Sequence, residues 1–253
     1  MPREILVTGA TGTLGSQVMA AALADGHRVR ALSRRDRNDG SPVHWLRGDL
    51  LADEAIDAAV DGVDVIVNCA TQPTRDQDVT SMQNLASAVR RAGVGHLVHV
   101  SIVGIDRIPL PYYRTKLRVE QVLEASGVGY TVLRATQFHD LITTSFAIQR
   151  YSPVMWALRG VRFQPIDTRD VAGRLVELVD SEPSGRVPDI GGPRVHTHSE
   201  LGRIYLTVRG GRRKVVAVPV PGRIIAAYRS GANLVPENPA GSIEFADYVA
   251  TLK

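Results

Sequence analysis

Short apolar runs alternate with amphipathic stretches along the first half of the chain, and this alternation predicts strands and helices in turn. Six runs have the length and composition of buried strands: Ile5–Val7, Arg28–Ser33, Val43–Arg47, Val63–Ala70, His96–Ser101 and Tyr130–Arg134. Intervening stretches have helical spacing: Ser16–Ala24, Ala52–Val60, Asp78–Ala92 and Tyr112–Ala125. Because strands that alternate with helices through short connections pair in parallel, residues 1–135 predict an α/β fold with a doubly wound parallel sheet.

The pattern becomes less regular over residues 136–253. Helical stretches at Leu141–Arg150, Arg169–Val179, Glu200–Arg209, Arg223–Ser230 and Ile243–Leu252 alternate with short strands at Val161–Gln164 and Val215–Val218. We interpret this part as a small C-terminal lobe that binds the substrate. No linker-like composition separates the lobe from the first 135 residues, so we expect both parts to be integrated in one domain.

A glycine-rich turn follows the first strand and opens the first helix. Gly9, Gly12 and Gly15 stand in G-x-x-G-x-x-G spacing, the setting of a Rossmann-type dinucleotide site. The first glycine allows a tight turn, the second lets backbone amides approach a pyrophosphate, and the third lets the helix pack closely. The helix N-terminus then faces the anion. The intervening residues predicted to bind the cofactor with them are Thr11, Thr13 and Leu14.

The end of the second strand favours NADP(H) over NAD(H). An NAD site usually has a carboxylate here, which binds the ribose 2′-hydroxyl. This chain has Ser33, Arg34 and Arg35, and guanidinium groups bind a 2′-phosphate with charge-assisted hydrogen bonds. Asp36 follows closely and weakens the distinction. Ligands of open α/β sheets bind beyond the carboxyl ends of strands, which adds these cofactor candidates: Asp49, Leu50, Ala70, Thr71, Ala135 and Thr136.

Tyr112 and Lys116 form a Y-x-x-x-K pattern on the predicted helix after strand five. Residues four apart share one helical face, and a nearby ammonium group makes a phenol more acidic, which suits general acid catalysis at neutral pH. The alternative is a surface helix with a packed tyrosine and a solvated lysine.

These motifs resemble those of the atypical short-chain dehydrogenase/reductases, especially the NmrA-like group of NAD(P)-binding proteins. The similarity spans roughly residues 3–140 and rests on ATGTLG, GDL at Gly48–Leu50, HLVHVS, PYYRTKLRVEQVLEASG and YTVLRATQF. It implies a Rossmann-type sheet, NADP(H) binding and, in many members, reduction of a carbonyl or quinone. It also implies that Lys116 binds the nicotinamide ribose. Other members bind NADP(H) without known turnover and act as redox sensors.

One position departs from the family pattern. Standard members end strand five with two small hydroxyl residues, the second of which is catalytic, whereas this chain has Ser101 followed by Ile102. Ser101 remains a candidate to orient a carbonyl. Two hypotheses stay open: an NADPH-dependent oxidoreductase that reduces a small carbonyl or quinone with Tyr112 and Lys116, and a catalytically silent NADP(H) sensor with a protein partner. Arg34 and Arg35 disfavour a third, an epimerase or dehydratase with bound NAD.

Composition and charge narrow the remaining function classes. The 253 residues carry a formal charge of +4, and their densest basic patch is Arg209, Arg212, Arg213 and Lys214. We interpret that patch as a solvated turn, and we expect no nucleic-acid or membrane partner. The single cysteine, Cys69, excludes an internal disulfide. Because no apolar run reaches membrane-spanning length and no signal-peptide pattern precedes the first strand, we expect a cytoplasmic protein.

Three weaker candidates lie in the C-terminal part. Phe138, His139 and Trp156 follow strand six, where a substrate wall is expected, although they could equally be packing residues. His196 and His198 form H-x-H, with His139 and Asp140 as further candidate ligands. We predict no metal site there, because Thr197 and Glu200 have the spacing of a helix capping box.

Overall fold

A computed structural model describes residues 1–37, 40, 42–71 and 75–252, and the chain forms two compact units. The first unit comprises Met1–Ser101, Arg114–Leu133 and Val171–Pro188. The second comprises Ile102–Tyr113, Arg134–Asp170 and Asp189–Lys253. These units do not coincide with the predicted parts 1–135 and 136–253, because segments from both sides of residue 135 belong to each unit.

The described strands are β1 Glu4–Thr8, β2 Arg28–Ser33, β3 His44–Arg47, β4 Val65–Asn68, β5 His96–Ile102, β6 Tyr130–Ala135, β7 Met155–Leu158, β8 Arg162–Phe163, β9 Gly185–Arg186, β10 His196–Thr197 and β11 Val215–Val218. The described helices are α1 Thr13–Ala24, α2 Ile56–Val60, α3 Arg75–Ala92, α4 Pro111–Glu124, α5 His139–Ala147, α6 Thr168–Val179, α7 His198–Val208, α8 Arg223–Arg229 and α9 Phe245–Thr251.

A seven-stranded parallel sheet, which lies mainly in the first unit, confirms the predicted doubly wound fold. Its strand order is β3-β2-β1-β4-β5-β6-β9. The order reverses between β1 and β4, which are neighbours in register, with Leu6 opposite Ile66. In open α/β sheets, ligands bind outside the carboxyl ends of the strands at such a switch point.

Helices α2, α3 and α4 contribute to the core of the first unit. Their apolar residues, including Ile56, Leu85 and Leu123, are buried in one cluster with Leu6 and Ile66 of the sheet. All four residues of β4 are buried. A strand covered on both faces needs a continuous apolar run, which is why its sequence shows no alternation.

The second unit has its own core and two small sheets. β7 pairs with β11 in parallel, and β8 pairs with β10 antiparallel. The core is formed by α5, α7 and α9 with these strands, and it contains Phe146, Met155, Leu201 and Phe245.

The start of one predicted helix needs correction, and three of the described strands lie outside the predicted ones. The second helix begins at Ile56 instead of Ala52, because Asp53 and Ala55 have φ values of 56° and cannot continue a right-handed helix. Strands β7, β9 and β10 were not predicted. β9 has only two residues and extends the sheet by pairing with β6, so its sequence carries no periodic signal. Among the described residues, no helix is long and apolar enough to cross a membrane.

Candidate functional site

In the turn between β1 and α1, neighbouring backbone lies so close to two of the glycines that neither position has room for a side chain. Gly9 has a φ of 65°, and a Cβ atom there would lie 2.6 Å from the Ala70 nitrogen. A Cβ atom at Gly15 would lie 2.2 Å from the Gly9 carbonyl oxygen. Cβ atoms do not approach backbone so closely, so both positions need glycine for the fold itself.

Gly12 has a different role in the same turn. Its amide donates to the Gly9 carbonyl at 2.9 Å, and a Cβ atom there would lie 3.2 Å from that oxygen, which is tight but not prohibitive. Gly12 is also the N-cap of α1 and offers no capping side chain, and the first turn has no acidic residue. The first amides of α1, including those of Thr13 and Leu14, therefore remain available, and the positive helix end fits a pyrophosphate.

A cavity of about 180 Å³ opens beside this turn in the first unit. Its wall includes these predicted cofactor residues: Gly9, Thr11, Gly12, Ser33, Arg34, Asp49, Leu50, Ala70 and Thr71. Sequence reasoning missed four other wall residues, namely Thr8, Leu32, Gly48 and Cys69. Each of the four directly precedes a predicted residue, so including the position before each predicted strand-end residue would have found them. Burial raises the pKa of the Cys69 thiol to about 12, so this group is a wall residue and not a nucleophile.

The cavity wall near β2 is basic. Arg34 lines the cavity, whereas Arg35 does not and instead donates its backbone amide to the Ser33 hydroxyl at 3.2 Å. The Asp36 carboxylate lies 3.4 Å from the Arg47 guanidinium group. The carboxylate that weakened the sequence argument is thus paired with an arginine. Of the two predicted arginines, only Arg34 contributes to the wall.

Lys116 is connected to the cavity wall through Thr71. Its ammonium group donates to the Thr71 hydroxyl at 3.0 Å and lies 2.8 Å from the Asp78 carboxylate. Only 7% of the Lys116 side chain and 4% of the Asp78 side chain are exposed. Sequence reasoning missed Asp78, because an acidic residue in the first turn of α3 is explained by the helix dipole alone.

A buried polar network joins the carboxyl ends of β1, β4 and β5. The Asn68 side-chain oxygen accepts from the Thr8 hydroxyl at 2.5 Å and from the Ala70 amide at 3.2 Å. These contacts orient the Asn68 amide so that its nitrogen donates to His99 Nδ1 at 3.2 Å. Burial, followed by the charge of Lys116, lowers the His99 pKa to about 3, so the imidazole is neutral at physiological pH.

Ser101 lies two residues beyond His99 on β5 and therefore on the same side of the strand. Its hydroxyl is buried and has no hydrogen-bond partner among the described residues. A buried polar group without a partner is costly, which makes this hydroxyl a candidate ligand contact, although Ser101 does not line the cavity beside the glycine turn.

The two tyrosines at the start of α4 have different surroundings. Tyr112 is 38% exposed, whereas Tyr113 is buried and its hydroxyl lies 3.1 Å from that of Tyr228. The Gln137 amide also donates to the Tyr113 hydroxyl at 3.4 Å. Tyr113 is therefore part of a packed polar network, which leaves Tyr112 as the accessible phenol of the pair.

The other predicted residues of the second unit are mostly structural. Ala135 ends β6, and the Thr136 hydroxyl donates to the Gln164 carbonyl at 2.5 Å. His139 is buried, and its Nε2 lies 3.1 Å from the Ile243 carbonyl, so it anchors a neighbouring segment. Phe138 is half-buried, and Trp156 on β7 is 46% exposed.

The H-x-H segment begins α7, and the predicted capping box is confirmed. The Thr197 hydroxyl accepts from the Glu200 amide at 3.2 Å, and the Glu200 carboxylate accepts from the Thr197 amide at 2.7 Å. His198 Nδ1 accepts from the Leu158 amide at 3.0 Å. Burial lowers the His198 pKa to about 4, so its ring is a neutral packing group.

Comparisons with known proteins agree with this geometry. The sequence model of an NAD(P)H-binding family matches residues 9–182. The chain is 33% identical to a (4-alkanoyl-5-oxo-2,5-dihydrofuran-3-yl)methyl phosphate reductase from Streptomyces griseus, over 78% of this chain and 70% of the relative. It is 28% identical to a photosystem II assembly factor from Cyanophora paradoxa, over 86% of this chain and 72% of the relative. Across curated relatives that it matches, the chain spans 59% to 77% of their length.

A solved structure shares the whole fold. The NADPH-dependent quinone oxidoreductase from Escherichia coli, complexed with NADPH, superposes with a TM-score of 0.84 and 17% identity, over 97% of this chain and 98% of that chain. The glycine turn, the cavity beside it and the family match thus point to the same class of protein. The chain belongs to the NAD(P)H-binding family whose sequence model matches residues 9–182.

Proposed function

We propose that this protein is an NADPH-dependent oxidoreductase that reduces a small carbonyl or quinone. The observation that carries the proposal is the arrangement in the first unit. There, an uncapped helix N-terminus and Arg34 border one cavity, and Thr71 in its wall binds Lys116. Reductase names among the relatives and the quinone oxidoreductase fold support the same class of reaction.

The preference for NADPH rests on charge near the second strand. Arg34 lines the cavity, so a 2′-phosphate beside it would meet a guanidinium group, and the nearby Asp36 carboxylate is paired with Arg47. Hydrogen bonds to charged groups contribute about 1.5–3 kcal/mol each, enough for a tenfold preference or more.

The chain's own residues would bind the cofactor, orient the acceptor carbonyl and protonate the reduced oxygen. When bound, the nicotinamide cofactor supplies a hydride to the acceptor. In this proposal Lys116 holds the nicotinamide ribose, as the family resemblance implies, and Asp78 keeps its ammonium group in place. Tyr112, four residues earlier on α4, donates the proton that the reduced oxygen needs. Ser101 orients the acceptor carbonyl through its unpartnered hydroxyl.

A second candidate function is an NADP(H)-dependent sensor without turnover. It is favoured by Ile102, which replaces the second hydroxyl of β5, and by the relative named as a photosystem II assembly factor. A sensor would keep the cavity and Lys116 but would not need Tyr112 as an acid.

The two functions are separated by a panel of quinones and carbonyl compounds, assayed by loss of NADPH absorbance. Binding of NADPH is first measured by calorimetry, and the Gly12→Val variant, which we expect not to bind the cofactor, serves as the control once calorimetry has established that it does not. Turnover of any acceptor well above this control supports the oxidoreductase. Tight NADPH binding without turnover of any acceptor contradicts it and favours the sensor, and absence of NADPH binding contradicts both.

A further inference from the structure

Two stretches of the second unit contain no acidic residue. Residues 141–166 and 201–236 hold ten of the chain's 30 basic residues and none of its 26 acidic residues. The excess of positive charge over the whole chain is only four, so the rest of the protein is net negative. A charge asymmetry of this kind is typical of a surface that meets a polyanion or an anionic membrane.

The same two stretches hold most of the large apolar side chains that are exposed. Five of the seven on the described residues lie there: Leu141, Ile148, Tyr151, Trp156 and Val208. The exposed fractions of Tyr151 and Ile148 are 85% and 71%. Leu141 and Ile148 are seven residues apart, which is two helical turns, so both project from the same side of α5 and its C-terminal end.

Contacts tie the basic and apolar residues together. The Arg213 guanidinium group donates to the carbonyls of Gln149 and Ser152 at 2.5 and 3.1 Å. The Gln149 side-chain oxygen accepts from the Trp156 amide at 2.8 Å. These bonds fix the turn between α5 and β7. The Arg213 partners are neutral carbonyls, so its charge is not compensated by them.

Two further contacts place charge at this turn. The Lys214 carbonyl accepts from the Met155 amide at 2.9 Å, one residue before Trp156. The Arg150 guanidinium carbon lies 4.5 Å from the centre of the Tyr151 ring. We define the docking face as Ile148, Arg150, Tyr151, Trp156, Arg213 and Lys214.

We infer that the docking face binds the surface of an anionic lipid bilayer, in contrast to the expectation from the sequence that Arg213 and Lys214 form a solvated turn and that the protein has no membrane partner. Tyrosine and tryptophan favour the level of the lipid headgroups, and an aliphatic side chain beside them gains by entering the acyl boundary. Arginine and lysine at the edge bind lipid phosphates. Stable attachment to a bilayer needs two such signals together, apolar insertion and positive charge, and this face supplies both.

Other occupants fit the docking face less well. A second copy of the chain would bring like charges together, because a two-fold interface repeats the same patch on both subunits. A nucleic acid would satisfy the arginines but would leave the hydrocarbon of Ile148 in water, since bases recognise aromatic and polar groups. Binding to RNA and to polyglutamate is therefore compared with binding to vesicles.

The test uses flotation of the full chain with vesicles of phosphatidylcholine, with or without phosphatidylglycerol. We expect binding to the anionic vesicles alone, weakened by salt. In a Trp45→Phe variant Trp156 is the only tryptophan, and its emission, excited selectively over tyrosine, should shift to shorter wavelength and be quenched by brominated lipids. Each basic residue near an anionic bilayer contributes about fivefold to binding, so Arg150→Glu with Lys214→Glu should weaken it about twentyfold or more.

Two matched variants complete the test. Ile148→Ser with Tyr151→Ser should also weaken vesicle binding, whereas Arg90→Glu with Arg118→Glu, at exposed positions of the first unit, should not. Circular dichroism and thermal unfolding establish that each variant is folded. Equal binding to neutral and anionic vesicles, or no binding, overturns the inference. So does loss of binding in the charge variant alone with tighter binding to RNA or polyglutamate than to vesicles.

Discussion

The Lys116 ammonium group lies 2.8 Å from the Asp78 carboxylate, and both side chains are almost fully buried. The same ammonium group donates to the Thr71 hydroxyl at 3.0 Å, and Thr71 lines the cavity beside the glycine turn. The pair joins α3 to α4 and holds a positive charge at the cavity wall. A buried charge is costly unless it is paired, so Asp78 determines whether Lys116 can occupy this position.

Replacing Asp78 with Asn should destabilise the protein and weaken NADPH binding. Removing one partner of a buried ion pair typically costs about 3–5 kcal/mol, because the other charge stays buried without compensation. Urea unfolding measures the stability, and calorimetry measures the affinity. The matched control is Asp76→Asn, which loses an exposed ion pair with Arg118 and should change little. An Asp78→Asn variant with unchanged stability and affinity would show that the pair is unimportant.

Arg34→Ala should lower the affinity for NADPH by about tenfold or more and leave that for NADH nearly unchanged. The physical reason is loss of the guanidinium group on the cavity wall beside the 2′-phosphate position. Arg35→Ala is the matched control, because Arg35 does not line the cavity and should have the smaller effect. Equal dissociation constants of the unmodified protein for the two cofactors would refute the preference.

Gly12→Val should fold but fail to bind NADPH. A Cβ atom there lies 3.2 Å from one backbone oxygen, which the turn can accommodate, yet the valine methyl groups would fill the space through which a pyrophosphate reaches the amides of α1. Gly15→Val is the contrasting variant, because a Cβ atom 2.2 Å from the Gly9 carbonyl cannot be accommodated, and it should not fold. Circular dichroism and calorimetry distinguish the two. Normal NADPH binding by Gly12→Val would give the glycine turn a purely structural role.

The sequence predicted the parts of the site that depend on local spacing. The glycine turn, the basic end of β2 and most of the cavity wall follow from residues a few positions apart. The Lys116–Asp78 pair could not be predicted, because it depends on how α3 and α4 pack. The pairing of Asp36 with Arg47 likewise joins the end of β2 to β3. Strand β9 has only two residues, too few for a hydrophobic pattern, and it exists because it pairs with β6.

The free energy of unfolding should fall as the pH is lowered from 6.5 towards 3, the range between the unfolded and folded pKa values of His99. Burial lowers the folded-state pKa of His99 to about 3, while the unfolded chain titrates near 6.5. The unfolded state therefore binds more protons between these values, and stability is complete above pH 6.5 and lost towards pH 3. The effect is on the order of 5 kcal/mol.

Urea unfolding between pH 7.5 and 4 measures this dependence. His99→Gln, which keeps a neutral polar group beside Asn68, should have a shallower slope by up to one proton. Nuclear magnetic resonance of the unmodified protein should show a neutral His99 ring at pH 5. A protonated ring at that pH, or identical slopes for the two proteins, would contradict the assignment.

If Tyr112 donates the proton, Tyr112→Phe should lose about a hundredfold in turnover while its affinity for NADPH hardly changes. Tyr113→Phe is the matched control, because the buried Tyr113 hydroxyl bonds to Tyr228 and Gln137. That variant should lose some stability and keep its turnover. Loss of turnover in Tyr113→Phe but not in Tyr112→Phe would identify Tyr113 as the proton donor instead.

The most direct measurement follows a single turnover with NADPH deuterated at C4. The protein is saturated with the cofactor and mixed in a stopped-flow instrument with the best acceptor of the panel, and loss of absorbance is recorded. Hydride transfer predicts rapid NADPH oxidation by the unmodified protein, slower oxidation with the deuterated cofactor, and much slower oxidation by Tyr112→Phe. NADPH that stays bound and unoxidised with every acceptor would contradict the oxidoreductase and leave the sensor.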